Sequence, residues 1–199
     1  MKASSISIAA GAALVLAACG GKDASSETDV PAPTAEQAEQ TAAPAFASTY
    51  TDFDLANCKV LSEEREEGSS AEYECPGFGK TALLVQEGDG RFDLDAGVDD
   101  EDFQTVGAFN DIAETVEWRL KDGKPFAVIF RYRDVSMEGK GRTVLAVETV
   151  GAEKLPGCRV AQISGDTPEA NSKAREMADI AAEDSFVCPE RPEYIGAAS

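Results

Sequence analysis

The alternation of apolar and polar residues is clearest on either side of Asp122-Gly123. Before that dipeptide, Thr115-Val-Glu-Trp-Arg-Leu-Lys121 puts Val116, Trp118 and Leu120 on one side of a pleat. After it, Phe126, Val128, Phe130 and Tyr132 alternate with Ala127, Ile129, Arg131 and Arg133. Asp-Gly accepts the positive φ angles of a two-residue turn, so the pattern predicts a hairpin. The second strand is apolar on both faces at its start, which predicts a central place in the sheet. Thr81–Gln86 and Arg91–Asp95 flank Gly88-Asp89-Gly90 and predict a second hairpin. Cys58–Glu63 and Ser70–Cys75 pair around Arg65-Glu66-Glu67-Gly68, and Arg142–Val150 and Arg159–Ser164 read as further strands. Phe103–Asn110 reads as a helical turn.

After Thr167 the period changes. Ala170, Ala174, Met177, Ala178 and Ala181 recur at helical spacing. Thr167 suits the N-cap, Pro168 the first helical position and Glu169 the first turn, which predicts a helix over 168–183. Its apolar face is narrow and made of small residues, so it can lie close on a sheet. Glu183 and Asp184 stand where the helix dipole favours cations, so that end needs a partner from elsewhere. The predicted fold is α+β, an antiparallel sheet of six to seven strands with one C-terminal amphipathic helix.

The first residues follow a different pattern. Behind Lys2, the stretch from Ile6 to Ala18 is apolar apart from Ser7. It is shorter than the ~20 residues of a membrane span and fits a signal-peptide core. It ends in Leu16-Ala17-Ala18-Cys19, which resembles a bacterial lipobox. The resemblance implies cleavage before Cys19 and acylation of its sulfur and amine. Each buried methylene contributes about 0.8 kcal/mol, and more than one chain makes anchoring in a lipid bilayer stable. Gly20 stands where an Asp would retain such a protein at the inner membrane, which implies the outer membrane, facing the periplasm. Residues 20–48 are rich in Ala, Thr, Glu, Gln, Ser and Pro and predict a disordered tether. The organisation expected is a signal peptide over 1–18, lipidated Cys19 with its linker over 19–48, one folded domain over 49–195, and a tail over 196–199.

Of the five cysteines, Cys19 is thereby set aside, and Cys58, Cys75, Cys158 and Cys188 remain. An even set in an exported chain predicts two disulfides, with three connectivities open. No Cys-x-x-Cys pair is present to suggest zinc. Geometry selects Cys58–Cys75, opposite each other in the 58–75 hairpin. It also selects Cys158–Cys188: strand 159–164 runs about 20 Å and helix 168–183 returns about 24 Å, so Cys188 arrives beside Cys158.

Charge narrows the function classes. The chain carries 18 basic and 37 acidic residues, a net −19. That excludes nucleic acid as a partner, since phosphates need neutralising cations, and it suits a basic protein partner. Histidine is absent, which removes Ser–His and Cys–His nucleophiles and His-ligated zinc. Gly79-Lys80-Thr81 looks like the end of a phosphate loop, but Glu74 stands where that loop needs glycine, so no nucleotide is expected. Asp89, Asp93, Asp95, Asp99, Asp100, Glu101 and Asp102 form an acidic stretch. Read as an EF-hand loop from Asp93, it breaks at Gly97 and Val98. The expectation is a solvated acidic face carrying Asp93 and Asp95, with no metal and no cofactor. Trp118, Tyr73 and Tyr132 sit in alternating strands and are expected in the core. No Ser-x-x-Lys and no Gly-x-Ser-x-Gly occurs, so no catalytic residue is expected.

Tyr50-Thr-Asp-Phe-Asp-Leu-Ala-Asn-Cys58, Glu74-Cys75-Pro76-Gly77, Gly90-Arg91-Phe92, Glu117-Trp118-Arg119-Leu120, Lys124-Pro125-Phe126-Ala127 and Ala174-Arg175-Glu176-Met177-Ala178-Asp179 resemble a group of exported alphaproteobacterial proteins. That group has no established activity, so the resemblance carries over no site residues. Ser69-Ser70-Ala71-Glu72-Tyr73 is similar to the inhibitory motif of periplasmic lysozyme inhibitors, with Ser70 at the place of its glycine. The expected role is a membrane-anchored envelope lipoprotein that binds or supports without catalysing. The alternative is a periplasmic inhibitor of a basic cell-wall hydrolase such as lysozyme, met by acidic loop 63–67 or 99–102.

Overall fold

The computed structural model describes residues 46–66, 68–138 and 141–198. Cys19, the signal peptide and most of the predicted tether lie outside them. The strands are β1 (Phe46–Asp52), β2 (Lys59–Glu64), β3 (Ser70–Phe78), β4 (Thr81–Gly88), β5 (Arg91–Ala96), β6 (Asn110–Ile112), β7 (Thr115–Lys121), β8 (Lys124–Asp134), β9 (Thr143–Thr149) and β10 (Arg159–Ser164). Helix α1 (Ala170–Ile180) and β11 (Glu193–Ile195) follow. The chain is α+β, as the pattern predicts, but its strands divide between two sheets. One is seven-stranded, in the order β1-β7-β8-β9-β10-β11 with β6 also on β8. The other is four-stranded, in the order β2-β3-β4-β5. All pairs are antiparallel except β10–β11, which is parallel and makes the larger sheet mixed.

The β7–β8 hairpin turns at Asp122 and Gly123, with φ of 53° and 77°, the left-handed pair that matches strand twist. It places β8 centrally, between β7 and β9. One position on β8 departs from simple alternation. The register shifts between Arg119 and Leu120, where Ala127 and Pro125 are the partners. The extra residue, Phe126, therefore joins the helix-side cluster instead of the face of Val128 and Phe130. There it meets the ring of Phe46, centroid to centroid 5.7 Å. That contact accompanies a β1 starting at Phe46, inside the stretch assigned to the tether.

The larger sheet is covered on both faces. Ala170, Ala174 and Ala178 of α1 pack on Ala127, Ile129, Leu145, Val147, Ala161 and Ile163. On the opposite face, Trp118, Val128, Phe130 and Tyr132 share a core with Leu83, Val85, Leu94 and Ala96 of the smaller sheet. Trp118 and Tyr132 are fully buried and Tyr73 is half-buried, so all three are core residues. Just past β5 and β9, Gly97, at φ 85°, passes Gly151, whose N–H donates to the Ala96 carbonyl at 2.8 Å. A Cβ on Gly97 would stand 2.4 Å from the Gly151 carbonyl, so only glycine fits.

The helix begins later than its cap pattern predicts. Thr167 donates its N–H to Ser164 and accepts from Ala170 N–H, which closes a tight turn off β10. The N-cap is Glu169, in the left-handed region at φ 58° and with no side-chain cap bond. The Thr167 hydroxyl instead lies against Gly196. At the other end, Lys121 donates to the Ala182 carbonyl at 2.7 Å. That lysine, from the β7–β8 turn, is the cation the end of the helix calls for. Arg119 pairs with Asp179 at 2.7 Å and Arg175 with Glu117 at 2.6 Å, tying α1 to β7.

Phe103–Asn110 is not a helical turn. It is irregular backbone up to β6, and Asn110 Nδ2 donates to Thr105 and to the Ala108 carbonyl. Within the stretch 196–199 assigned to the tail, Ala198 is fully buried. The disulfides are Cys58–Cys75 and Cys158–Cys188. The first bridges the start of the β2–β3 ladder, and the second joins the chain after α1 to the start of β10. The pairing is compatible with an extracytoplasmic location. No helix among the described residues is long and apolar enough to cross a membrane.

Candidate functional site

The acidic stretch is where expectation and structure differ most. Phe92, Leu94 and Ala96 of β5 turn into the core, and the alternation leaves Asp93 and Asp95 on the other face. That face is not solvated. Asp93 is 2% exposed and Asp95 4%. The segment after β5 folds back over it, so that Gln104 N–H donates to Asp93 at 2.6 Å and Asp100 N–H to Asp95 at 3.4 Å.

Arg159, at the start of β10, is the counter-charge. It is 2% exposed and faces Glu148 across the β9–β10 ladder. Its Nε donates to Glu148 Oε2 at 2.6 Å and its Nη2 to Asp93 Oδ1 at 2.8 Å. The guanidinium lies 5.2 Å from the centre of the Phe130 ring and 5.8 Å from that of Tyr132, where the ring quadrupoles attract a cation. The Tyr132 hydroxyl donates to the Gln104 carbonyl at 3.1 Å. Gln162, its amide oriented as its neighbours require, accepts from Arg159 Nη1 at 3.1 Å and donates to the Ala198 carbonyl at 2.8 Å. One guanidinium thus joins β5, β9, β10 and, through Gln162, the C-terminal residues.

The charges do not balance. Burial raises Asp95 to about 9, and the nearby Glu148 carboxylate adds to the rise. Burial raises Glu148 to about 7 although Arg159 opposes it. Asp93 and Asp100 are raised for the same reason, with Arg159 pulling the other way. Burial alone would lower Arg159, but Tyr132, Glu148 and Asp93 hold it above its ordinary value. An acid whose pKa is raised on folding stabilises fully below its unfolded value and loses that stability as pH rises through its folded value. For Asp95 the window runs from its unfolded 3.8 to about 9. Asp95→Asn is therefore expected to raise stability at pH 8 by ~2 kcal/mol and to leave it unchanged at pH 3. Urea denaturation at both values, in buffer with EDTA, checks this. An equal change at the two values would contradict it.

Through Arg159, Gln162 and Asp100 the cluster borders an open cleft of about 740 Å³. Arg159 and Gln162 form its base, residues 102–107 one wall, and Pro189, Glu190, Arg191, Pro192 and Tyr194 the other. The volume is that of a small-molecule site, but the walls are polar. Cys158 also lines it, so the disulfide fastens the second wall.

The other marked residues lie elsewhere. Glu63, Glu64 and Glu66 are exposed at the β2–β3 hairpin. Of the 99–102 loop only Glu101 and Asp102 are exposed, while Asp99 receives both bonds of Gln86 Nε2 at 3.1 and 3.2 Å. Gly79 and Lys80 make the β3–β4 turn. The residues missed by the sequence reading are Glu148 and Arg159. Their signal was two opposite charges in neighbouring apolar strands, a pattern tolerated in a core only as a pair. Comparison with known proteins finds no matching family model, curated protein or solved structure.

Proposed function

We propose that this chain is a lipid-anchored binding protein of the bacterial cell envelope, fixed at Cys19 and facing the periplasm from the outer membrane. The observation that carries the reading is the Leu16-Ala17-Ala18-Cys19 pattern in a chain whose other four cysteines are all disulfide-bonded. Acylation would take the one cysteine left over. The role is binding rather than catalysis. Asp93 and Glu148 are committed to Arg159, and the chain has no histidine to activate a nucleophile. The polar cleft between 102–107 and 189–194 is the binding face, and the exposed acidic β2–β3 hairpin suits a basic protein partner.

The test is palmitate labelling and fractionation of bacteria expressing the full chain and its Cys19→Ser variant. The expected result is a labelled protein in the outer-membrane fraction, and an unlabelled, uncleaved or released protein when Cys19 is replaced. Equal labelling and equal distribution of the two would overturn the reading.

A further inference from the structure

Four exposed apolar side chains gather at one end of the larger sheet. Phe46 opens β1 opposite Lys121, its ring 5.7 Å from that of Phe126. The Val150 N–H donates to the Phe126 carbonyl at 2.8 Å, which brings the turn after β9 to the same end. There Ala152 and Leu155 exchange backbone bonds of 2.9 and 2.8 Å, and Leu155 is held 73% exposed. Lys121 binds the Ala182 carbonyl and so brings up the end of α1, with Ile180 exposed on it. The Cys158–Cys188 bond brings Val187, which is 81% exposed.

Single exposed apolar residues are ordinary on a protein surface. What sets this group apart is where the chain enters. β1 begins at Phe46, so the residues that link the domain to Cys19 join it at this end. As the coil their composition predicts, residues 20–45 span about 30 Å on average. Such a linker gives an effective concentration on the order of millimolar. A contact too weak to hold a free chain on a membrane therefore holds an anchored one. The opposite end of the sheet carries Met137, 98% exposed, and Phe109, which accepts the Val135 N–H. It lies one length of β8 away, about 36 Å for 11 residues.

We propose that the end carrying Phe46, Leu155, Ile180 and Val187 rests on the bilayer in which Cys19 is anchored, with these side chains in the headgroup region. The proposal rests on the anchoring reading and goes beyond it, from a tethered domain to an oriented one. The charges next to these residues in the chain are mixed: Lys124 and Lys154 against Asp122, Glu153, Glu183 and Asp184. Apolar burial and not charge therefore drives the contact, and neutral headgroups suit a chain of net −19. Pro156 and Pro189 of the cleft follow Leu155 and Val187 closely in the chain. Docking therefore holds one rim of the cleft at the bilayer surface.

The test uses the chain from Cys19 onward, which keeps every described residue and has Cys19 as its one cysteine outside the disulfides. It is coupled through that thiol to a maleimide-bearing lipid in phosphatidylcholine vesicles and footprinted with hydroxyl radicals. The reference is the same chain capped with N-ethylmaleimide, without vesicles. Oxidation of Phe46, Leu155, Ile180 and Val187 is expected to fall about threefold or more relative to Met137 and Phe109. In Leu155→Ser/Val187→Ser, at two exposed positions, the protection of Phe46 and Ile180 is expected to disappear. Should that variant lose its cooperative unfolding, the footprint of the unsubstituted chain decides alone. The coupling is chemical, so it reads docking whether or not cells acylate Cys19. Palmitate-labelled protein without protection would leave the anchor standing and overturn the docking. A fall spread evenly over both ends, or confined to Met137 and Phe109, would overturn it too, as would undiminished protection in the folded variant.

Discussion

Arg159→Met is expected to lower stability by about 3–5 kcal/mol, because it leaves buried carboxylates without their cation. Arg159 binds Glu148 at 2.6 Å and Asp93 at 2.8 Å, and its guanidinium rests near the rings of Phe130 and Tyr132. Methionine restores part of the packing but none of the charge. Glu148 and Asp93 must then be protonated in the folded state. Glu148 already stands near 7 with Arg159 in place, and without it the value rises further. The sign follows from linkage: protons taken up on folding favour low pH, so the loss is smaller at pH 5 than at pH 8. Arg159→Lys keeps a charge but loses the forked geometry that reaches two carboxylates, and is expected to fall between. Adding Glu148→Gln to Arg159→Met should recover part of the loss, since an amide needs no counter-charge. Denaturant unfolding at pH 5 and pH 8 measures all of these. A cost below 1 kcal/mol for Arg159→Met at pH 8 would show that the buried charges do not depend on this residue.

What was legible beforehand was local. The Asp122-Gly123 hairpin, the small-residue face of α1 and the Cys58–Cys75 bond follow from residues close in sequence, whereas the Cys158–Cys188 bond is present although α1 has 11 residues and not the 16 on which its length match was drawn. β1 was not legible, because Ala47-Ser48-Thr49-Tyr50-Thr51 has no run of large apolar residues. It is an edge strand, held by pairing with β7 along its whole length. The burial of Asp93 and Asp95 was hidden for a related reason. Alternation in β5 says that the aspartates share a face, but not what covers that face. The cover is a loop and an arginine 66 residues away. The division of strands between two sheets has the same origin. Each hairpin fixes its own register, whereas the break between β5 and β6 depends on contacts such as Gly97 with Gly151.

Removing Cys158 and Cys188 together, as serines, is expected to cost about 3–4 kcal/mol by loop entropy and to loosen one wall of the cleft first. The bond closes a span of 30 residues, against 17 for Cys58–Cys75, for which about 3 kcal/mol is expected. The entropies are similar, but the positions are not. Cys58–Cys75 braces strands that are already paired over most of their length. Among the described residues beyond Cys188, the chain is held by the three-residue parallel pairing of β11 with β10, the bond from Gln162 to Ala198 and the packing of Ile195 on the helix-side core. Without its bridge, this segment has little else to hold it. It carries Pro189–Pro192 and Tyr194 of the cleft, and Gln162 also touches Arg159. Hydrogen exchange should therefore separate the two variants. In Cys158→Ser/Cys188→Ser the amides of 193–195 are expected to lose at least a hundredfold of protection, while those of β8 change only with global stability. In Cys58→Ser/Cys75→Ser, residues 193–195 should change no more than β8 does. Uniform loss of protection in both variants would mean that the second disulfide stabilises the whole domain without fastening the wall.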